Sequence, residues 1–94
     1  MLQIYWSAEA KDSYAAILQH VVDRFSSDAA IKMDDKVERL LALLQQNRHL
    51  CPPALNFPDL RRCVITPQLS LIYRLIKDEI ELVVFLDNRT GIVF

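Results

Sequence analysis

Arginine is the residue type in this sequence with the clearest capacity for binding chemistry. The last third of the chain contains Arg61, Arg62, Arg74 and Arg89, together with Tyr73 as its only tyrosine and no histidine. A guanidinium group binds phosphate or carboxylate oxygens, but it stays protonated in proteins and makes a poor base. General acid–base catalysis needs a group that gains and loses a proton near neutral pH. We therefore predict that these four arginines bind an anionic target, and we assign no catalytic residue.

Each of these arginines also has a structural interpretation. Arg74 can pair with Glu81 across two neighbouring strands. Arg89 can close a strand end by pairing with Asp87. Arg61 and Arg62 can be one solvated side chain and one that packs its aliphatic stem. The sequence alone leaves the structural and the target-binding roles open.

The cysteines and histidines do not form a metal-binding pattern. His49 and Cys51 have a ligand-like spacing, but a structural zinc site needs four ligands and no second close pair exists. Cys51 and Cys63 are too few for a disulfide framework, so we expect two ordinary buried or half-buried thiols. The single glycine excludes glycine-rich phosphate loops. We predict no metal and no cofactor.

Composition indicates one domain, covering residues 1–94, with 52% hydrophobic residues and a formal net charge of −1. A protein that grips nucleic acid over its whole surface normally carries an excess of lysine and arginine, and here 11 basic residues face 12 acidic ones. No apolar run approaches the roughly 20 residues of a membrane span. The first six residues lack the zones of a signal peptide, so we expect a cytoplasmic protein with no membrane partner.

Hydrophobic periodicity predicts four strands and two helices. Leu2, Ile4 and Trp6 alternate with polar residues as in a short strand. Ser7 can cap a first helix that runs to about Phe25, and the Ser26–Asp28 segment can cap a second that ends near Asn47. A proline-containing loop follows, which we expect to be held by Leu50, Leu55 and Phe57. Three strands then lie near residues 60–65, 69–76 and 79–87.

Side-chain alternation assigns a face to each strand residue. The helix-facing set should include Leu71, Tyr73 and Leu75 on the third strand and Ile80, Leu82, Val84 and Leu86 on the fourth, packed against Leu41 and Leu44 of the second helix. The opposite face should carry Ile72, Val83 and Phe85 among charged residues, which marks an interaction surface. The predicted fold is a two-layer α+β domain of order β-α-α-β-β-β, with a helical hairpin on one face of a mainly antiparallel sheet.

Three segments of this sequence resemble the RelE/ParE superfamily of bacterial type II toxin–antitoxin systems, which includes plasmid stabilisation proteins. They are Trp6-Ser7-x-Glu9-Ala10, Leu60-Arg61-Arg62 with Leu71-Ile72-Tyr73-Arg74-Leu75, and Val83-Val84-Phe85-Leu86-Asp87-Asn88-Arg89. The resemblance implies the predicted fold and a cognate antitoxin as partner. RelE-type members are ribosome-dependent mRNA endoribonucleases with basic residues on the central strands and a late Tyr or His. ParE-type members inhibit DNA gyrase and lack that catalytic set.

The residues at the matching positions favour the ParE type. Ser70 stands where RelE-type enzymes tend to carry an arginine, and the late Tyr or His has no counterpart before Phe94. The alternatives are a RelE-like ribonuclease and an inactive family member that only binds antitoxin. For the antitoxin we expect a helix in a groove or an added strand, contacting Ile72, Val83, Phe85, Ile92 and Phe94. A homodimer and a hetero-oligomer with the antitoxin both remain open.

Overall fold

The two helices and four strands occur in the predicted order in a computed structural model, which describes residues 2–90. The strands are β1 (Gln3–Trp6), β2 (Arg61–Thr66), β3 (Leu69–Ile76) and β4 (Glu79–Asp87), the helices are α1 (Ala8–Arg24) and α2 (Ser27–Gln46), and a short 3₁₀ turn covers Asn88–Thr90. The sheet has the order β1-β4-β3-β2, with β1 parallel to β4 and the other pairs antiparallel. The predicted α+β fold is confirmed.

Serine caps explain where both helices begin. The Ser7 hydroxyl accepts a hydrogen bond from the amide of Ala10, and the Ser26 hydroxyl accepts one from Ala29. Each bond satisfies a backbone donor that the first helical turn leaves unpaired. Only Phe25 and Ser26 separate the helices, so α1 and α2 form an antiparallel hairpin.

The core lies between the hairpin and one face of the sheet, as predicted. Leu41 and Leu44 of α2 are buried there, together with Leu71, Tyr73 and Leu82 of the sheet. A hydrogen bond also joins the two helices: the Tyr14 hydroxyl of α1 donates to the Asp34 carboxylate of α2. Burial and this bond raise the pKa of Tyr14 above its ordinary value.

The predicted face assignment is wrong in the second half of β4, because a β-bulge changes its phase. Tyr73 pairs with Leu82, and the preceding Ile72 pairs with Val84, so Val83 is an extra residue without a partner on β3. Beyond the bulge every side chain changes face. Phe85 therefore points into the core, and Val84 takes the opposite face.

The bulge is held in place by Ser13 of helix α1 and by Ser7, the residue that caps this helix. The Ser7 hydroxyl donates to the Val83 carbonyl at 2.8 Å, and the Ser7 amide donates to the Leu82 carbonyl at 3.0 Å. The Phe85 amide donates to the Ser13 hydroxyl at 2.9 Å. The backbone groups that the bulge removes from the ladder thus find partners on the helix.

The residues predicted to form an apolar patch on the face opposite the helices are not exposed there, whereas Val64 and Ile76 on that face are 65% and 42% exposed. Phe85 is only 2% exposed and stacks on Trp6 with ring centroids 5.4 Å apart. Ile72 stays on that face but is fully buried, and Val83 is half-buried. Arg62, which pairs with Ile72 in the register, extends across this face to the Ser70 hydroxyl.

The two cysteines form a disulfide bond, contrary to the expectation of free thiols. Cys51 and Cys63 are both buried, with Cα atoms 5.3 Å apart. The linker between α2 and β2 folds back on the edge strand, where Pro53 forms a bridge with Arg61 and the Arg62 amide donates to the Pro52 carbonyl. This return brings Cys51 within bonding range of Cys63.

Small buried groups hold the linker, and the predicted apolar anchors have largely exposed side chains. Leu55 is 85% exposed, and Leu50 and Phe57 are exposed as well, whereas Ala54 is buried. The Tyr73 hydroxyl donates to the Arg48 carbonyl and accepts a bond from the Cys51 amide. Bulky side chains at the tip of the linker are therefore presented outwards.

Replacing Phe85 with alanine should destabilise the fold, because its buried ring contacts the rings of both Trp6 and Tyr14. We expect the free energy of unfolding to fall by about 3–5 kcal/mol, as for other buried aromatics. Urea denaturation followed by circular dichroism measures the change. Leu55→Ala is the matched control and should stay within about 0.5 kcal/mol of wild type. A loss below about 1 kcal/mol for Phe85→Ala would place this ring outside the core.

Reduction of the disulfide should weaken the fold without abolishing it. Cys51 and Cys63 are 12 residues apart, and closing a loop of this length stabilises a protein by about 3 kcal/mol in the chain-entropy model. Urea melts with and without dithiothreitol should differ by about 2–3 kcal/mol. The Cys51→Ala/Cys63→Ala double variant should resemble the reduced protein and ignore the reductant. Coincident wild-type melts would show that the cysteines are not joined.

Candidate functional site

The four candidate arginines lie in three different places. Arg62 and Arg74 share the face of the sheet opposite the helices. Arg61 pairs with Tyr73 in the register and so faces the helix side, where its Nη1 donates to the Cys51 carbonyl at 2.6 Å. Arg89 follows the end of β4. The structure therefore brings two of the four together and does not form one arginine cluster.

Two of the arginines form the ion pairs that the sequence suggested. The Arg74 guanidinium binds the Glu81 carboxylate on the neighbouring strand. Arg89 binds Asp87 through two side-chain bonds, from Nη2 at 2.7 Å and from Nε at 2.9 Å. These structural interpretations are confirmed, and they do not exclude target binding, because exposed ion pairs exchange partners at low cost.

Arg62 belongs to a polar network on the face opposite the helices. Its Nε donates to the buried Ser70 hydroxyl at 3.2 Å, and its Nη2 donates to the Asn88 side-chain oxygen at 2.8 Å. The Asn88 amide group in turn donates to the Pro67 carbonyl at 3.2 Å. The network fixes the end of β4 against the β2–β3 turn, so Arg62 has a clear structural role.

The proton-exchanging groups bonded to the arginines or to the linker are poorly placed for catalysis, whereas His20 lies close to Asp87 and Arg89. Burial raises the pKa of Tyr73, and its hydroxyl is already bonded to the linker backbone. Glu81 and Asp87 are both committed to arginine ion pairs. The Arg89 guanidinium lowers the pKa of Asp87 to about 2, which makes this carboxylate a weak base at neutral pH.

The predicted antitoxin-binding residues do not form an exposed surface. Phe85 and Ile72 are buried for the reasons given above, and Val83 is half-buried in the bulge. Ile92 and Phe94 lie outside the described residues. Arg62 lies across part of the face that sequence alternation selected, and Val64 and Ile76 are exposed on the same face.

An open groove of about 750 Å³ lies between the helical hairpin and one end of the sheet. Ile17, Val21, Met33 and Leu69 are its more buried members and form the floor. Phe25, which ends the apolar stripe of α1, stands at the mouth and is 68% exposed. The apolar stripes of both helices continue beyond the area that the sheet covers, and the groove occupies that uncovered part.

Ionisable side chains line this groove, and most of them are of the basic type. Lys32 and Lys36 line it from α2, His20 lines it from α1, and Arg89 lines it from the end of β4. Asp87 is the one acidic lining residue that the structure describes, and it is bound to Arg89. Sequence analysis identified only Arg89 of these, because a groove between elements has no periodic signal of its own.

Metal-binding clusters and membrane-spanning helices were sought in the part of the chain that the structure describes. Residues 2–90 contain no cluster of three or more His, Cys, Asp or Glu side chains arranged to hold a metal ion. Neither of the two helices described is long and apolar enough to cross a membrane.

Comparison with known proteins identifies a family. The model of the ParE toxin family, from type II toxin–antitoxin systems of the parDE kind, matches residues 4–91. No curated protein sequence is significantly similar to this chain. Among solved structures, a chain of a chromosomal ParDE system from P. aeruginosa is 20% identical with a TM-score of 0.77, over 93% of this chain and 96% of that one.

Other similar structures belong to relatives with different names. The E. coli DinJ–YafQ complex contains a chain that is 16% identical, with a TM-score of 0.65 over 96% of this chain and 97% of that one. The YoeB dimer from Staphylococcus aureus is 19% identical, with a TM-score of 0.62 over 90% and 94% of the two chains. At these identities the likeness concerns the fold.

The Asp87–Arg89 ion pair makes a prediction for acid titration. The Asp87 pKa should be about 2, below its ordinary value of 3.8. The stabilisation from this pair is then complete above about pH 4 and is lost as the pH falls towards 2. NMR titration of the carboxyl carbon measures the pKa, which should return towards 3.8 in Arg89→Gln. Arg24→Gln, on the exposed end of α1, should leave it unchanged, and an equal shift in both variants would contradict the assignment.

Proposed function

Because this chain belongs to the ParE toxin family of type II toxin–antitoxin systems, we propose that it inhibits DNA gyrase and that a cognate antitoxin neutralises it. In this proposal the protein acts by binding and performs no chemistry of its own. A cytoplasmic location follows from the proposed target. The family membership supports the toxin role, and the arrangement of the arginines supports the choice of target.

The observation that carries this choice is the chemical setting of Arg62, Arg74 and Arg89. Cleavage of RNA requires a base for the 2′-hydroxyl and an acid for the leaving oxygen, besides cations for the phosphate. The described side-chain partners of these arginines are Ser70, Asn88 and two carboxylates held in ion pairs. Such a set supplies positive charge and hydrogen-bond donors, which suit recognition of an anionic protein surface.

Paired assays test the target directly. Purified toxin is added to gyrase with relaxed plasmid, and separately to ribosomes programmed with mRNA. We expect inhibition of supercoiling, its reversal by antitoxin, and no cleavage at specific codons. Codon-specific cleavage of ribosome-bound mRNA would overturn the proposal in favour of the ribonuclease alternative. Antitoxin binding without either activity would indicate an inactive family member.

Arg74 and Arg89 should contribute to target inhibition beyond their internal ion pairs. We expect Arg74→Ala and Arg89→Ala each to raise the half-inhibitory concentration for supercoiling about tenfold, the size of effect expected when an arginine that anchors an interface is removed. Circular dichroism and urea melts verify that each variant is folded. Arg24→Ala removes the same charge from an exposed site on α1 and should leave inhibition unchanged.

A second control separates recognition from structure. Glu81→Gln removes the ion pair on the sheet but keeps the Arg74 guanidinium. If Arg74 binds the target, this variant should inhibit gyrase at least as well as wild type. Equal losses in Arg74→Ala and Glu81→Gln would mean that the pair matters only for the fold, and full activity of both arginine variants would remove these residues from the target surface.

A further inference from the structure

The loop at residues 54–60, which we call the linker tip, carries an inference that rests on the proposed inhibition of gyrase. We propose that the linker tip is a docking element for the target protein, and that it inserts Leu55 and Phe57 into an apolar cleft beside an acidic side chain of the target. Neither residue belongs to the arginine set described above, and neither lines the groove. Such a contact adds apolar affinity that the arginines alone do not supply.

The linker tip presents its large apolar side chains to solvent. Leu55 is 85% exposed and Phe57 is 51% exposed, whereas the small neighbour Ala54 is buried. Leu55 is the most exposed of the large hydrophobic residues that the structure describes. Within the tip only Asp59 carries a charge. Apolar surface gathered in this way is typical of a protein interaction site, and an aromatic side chain is a common anchor there.

The backbone under these side chains is held in one shape, although it belongs to no helix or strand. The Ala54 amide donates to the Leu60 carbonyl at 2.8 Å, and the Leu60 amide donates to the Phe57 carbonyl at 2.8 Å. On either side of the tip, Cys51 and Cys63 join the linker to β2 through the disulfide. A loop that is ordered in advance loses less conformational entropy on binding, so more of its apolar contact appears as affinity.

The position of the linker tip connects it with Arg74, one of the proposed target contacts. The tip ends at Leu60, and the next residue, Arg61, begins β2 and pairs with Tyr73 of β3. Arg74 follows Tyr73 and therefore lies at the same end of the sheet as the tip. On the face that carries Arg74, Ile76 is 42% exposed. The complementary surface of the target therefore combines an apolar cleft for the tip with a carboxylate for the guanidinium group.

Truncation of the two exposed side chains tests the contact. We expect Leu55→Ala/Phe57→Ala to raise the half-inhibitory concentration for gyrase supercoiling about tenfold or more, with circular dichroism and urea melts verifying the fold. Leu55→Ala alone should raise it about threefold, and this variant carries the test if the double variant does not fold. The matched control is Ile31→Ala/Leu43→Ala, which truncates residues of α2 that are 59% and 55% exposed. The control should stay within about twofold of wild type.

The disulfide provides a second test, because it acts on the shape of the linker and leaves the side chains of the tip in place. Cys51→Ala/Cys63→Ala should weaken inhibition about fivefold in otherwise wild-type toxin, since the tip is then less ordered before it binds. In the Leu55→Ala/Phe57→Ala background the same change should have little further effect, because the anchors are already absent. Additive losses would mean that the disulfide acts through the whole fold, and they would contradict the inference.

Photo-cross-linking identifies what covers the linker tip. The photoreactive amino acid p-benzoylphenylalanine in place of Phe57 should cross-link to an apolar cleft of gyrase, and in place of Ile31 it should not. Cross-links only to antitoxin, or only to a second toxin molecule, would overturn the inference. If wild-type toxin and the tip variant inhibit supercoiling equally, the inference fails alone. If wild-type toxin does not inhibit supercoiling, the proposed function fails and the inference fails with it.

Discussion

The hydrogen bonds between the start of α1 and the bulge in β4 decide which residues of β4 face the helices. The rest of the structure depends on this side-chain alternation. Ser7 caps the helix and at the same time binds the carbonyl of Val83, while Ser13 takes the displaced amide of Phe85. Without a partner for that amide, a buried backbone donor would cost roughly 1–3 kcal/mol. The helix therefore stabilises the irregular strand, and the irregular strand places an aromatic ring under the helix.

Several features of the site follow from this phase change. Beyond the bulge Asp87 lies on the helix-facing side, so its partner Arg89 lines the groove. Asn88 meanwhile reaches Arg62 on the other side of the sheet. The end of β4 thus connects two surfaces, one that faces the hairpin and one that carries Arg62 and Arg74. A regular strand would have placed Asp87 and Phe85 on the face that Arg74 shares.

The sequence predicted the elements well and the phase of the last strand poorly, for a physical reason. Helix starts follow from serine side chains at the caps, and strand ends follow from short polar turns, so local residues determine both. Residues 82–86 form a continuous apolar run, and in such a run both alternation phases place apolar side chains inwards. Only the contact with α1, remote in sequence, selects between them.

The disulfide and the groove were beyond the reach of pattern analysis for the same reason. Cys51 and Cys63 meet because the linker returns along an edge strand, a path that no local motif specifies. The groove exists because two helix stripes extend past the sheet, and the length of that overhang depends on how the layers pack. The arginine ion pairs were predictable, because cross-strand and near-neighbour spacing determines them.

The parallel pairing of β1 with β4 has a consequence for the timing of toxin synthesis. The first strand finds its place only beside the last, and the Ser7–Val83 bond joins residues 76 positions apart. At a translation rate of about 5–20 residues per second, the start of the chain waits roughly 4 to 15 seconds for its partner to be made. Local helix formation can precede this moment, but the finished sheet cannot. A newly made chain therefore cannot complete this sheet, or any surface built on it, until almost all of the described residues have been polymerised.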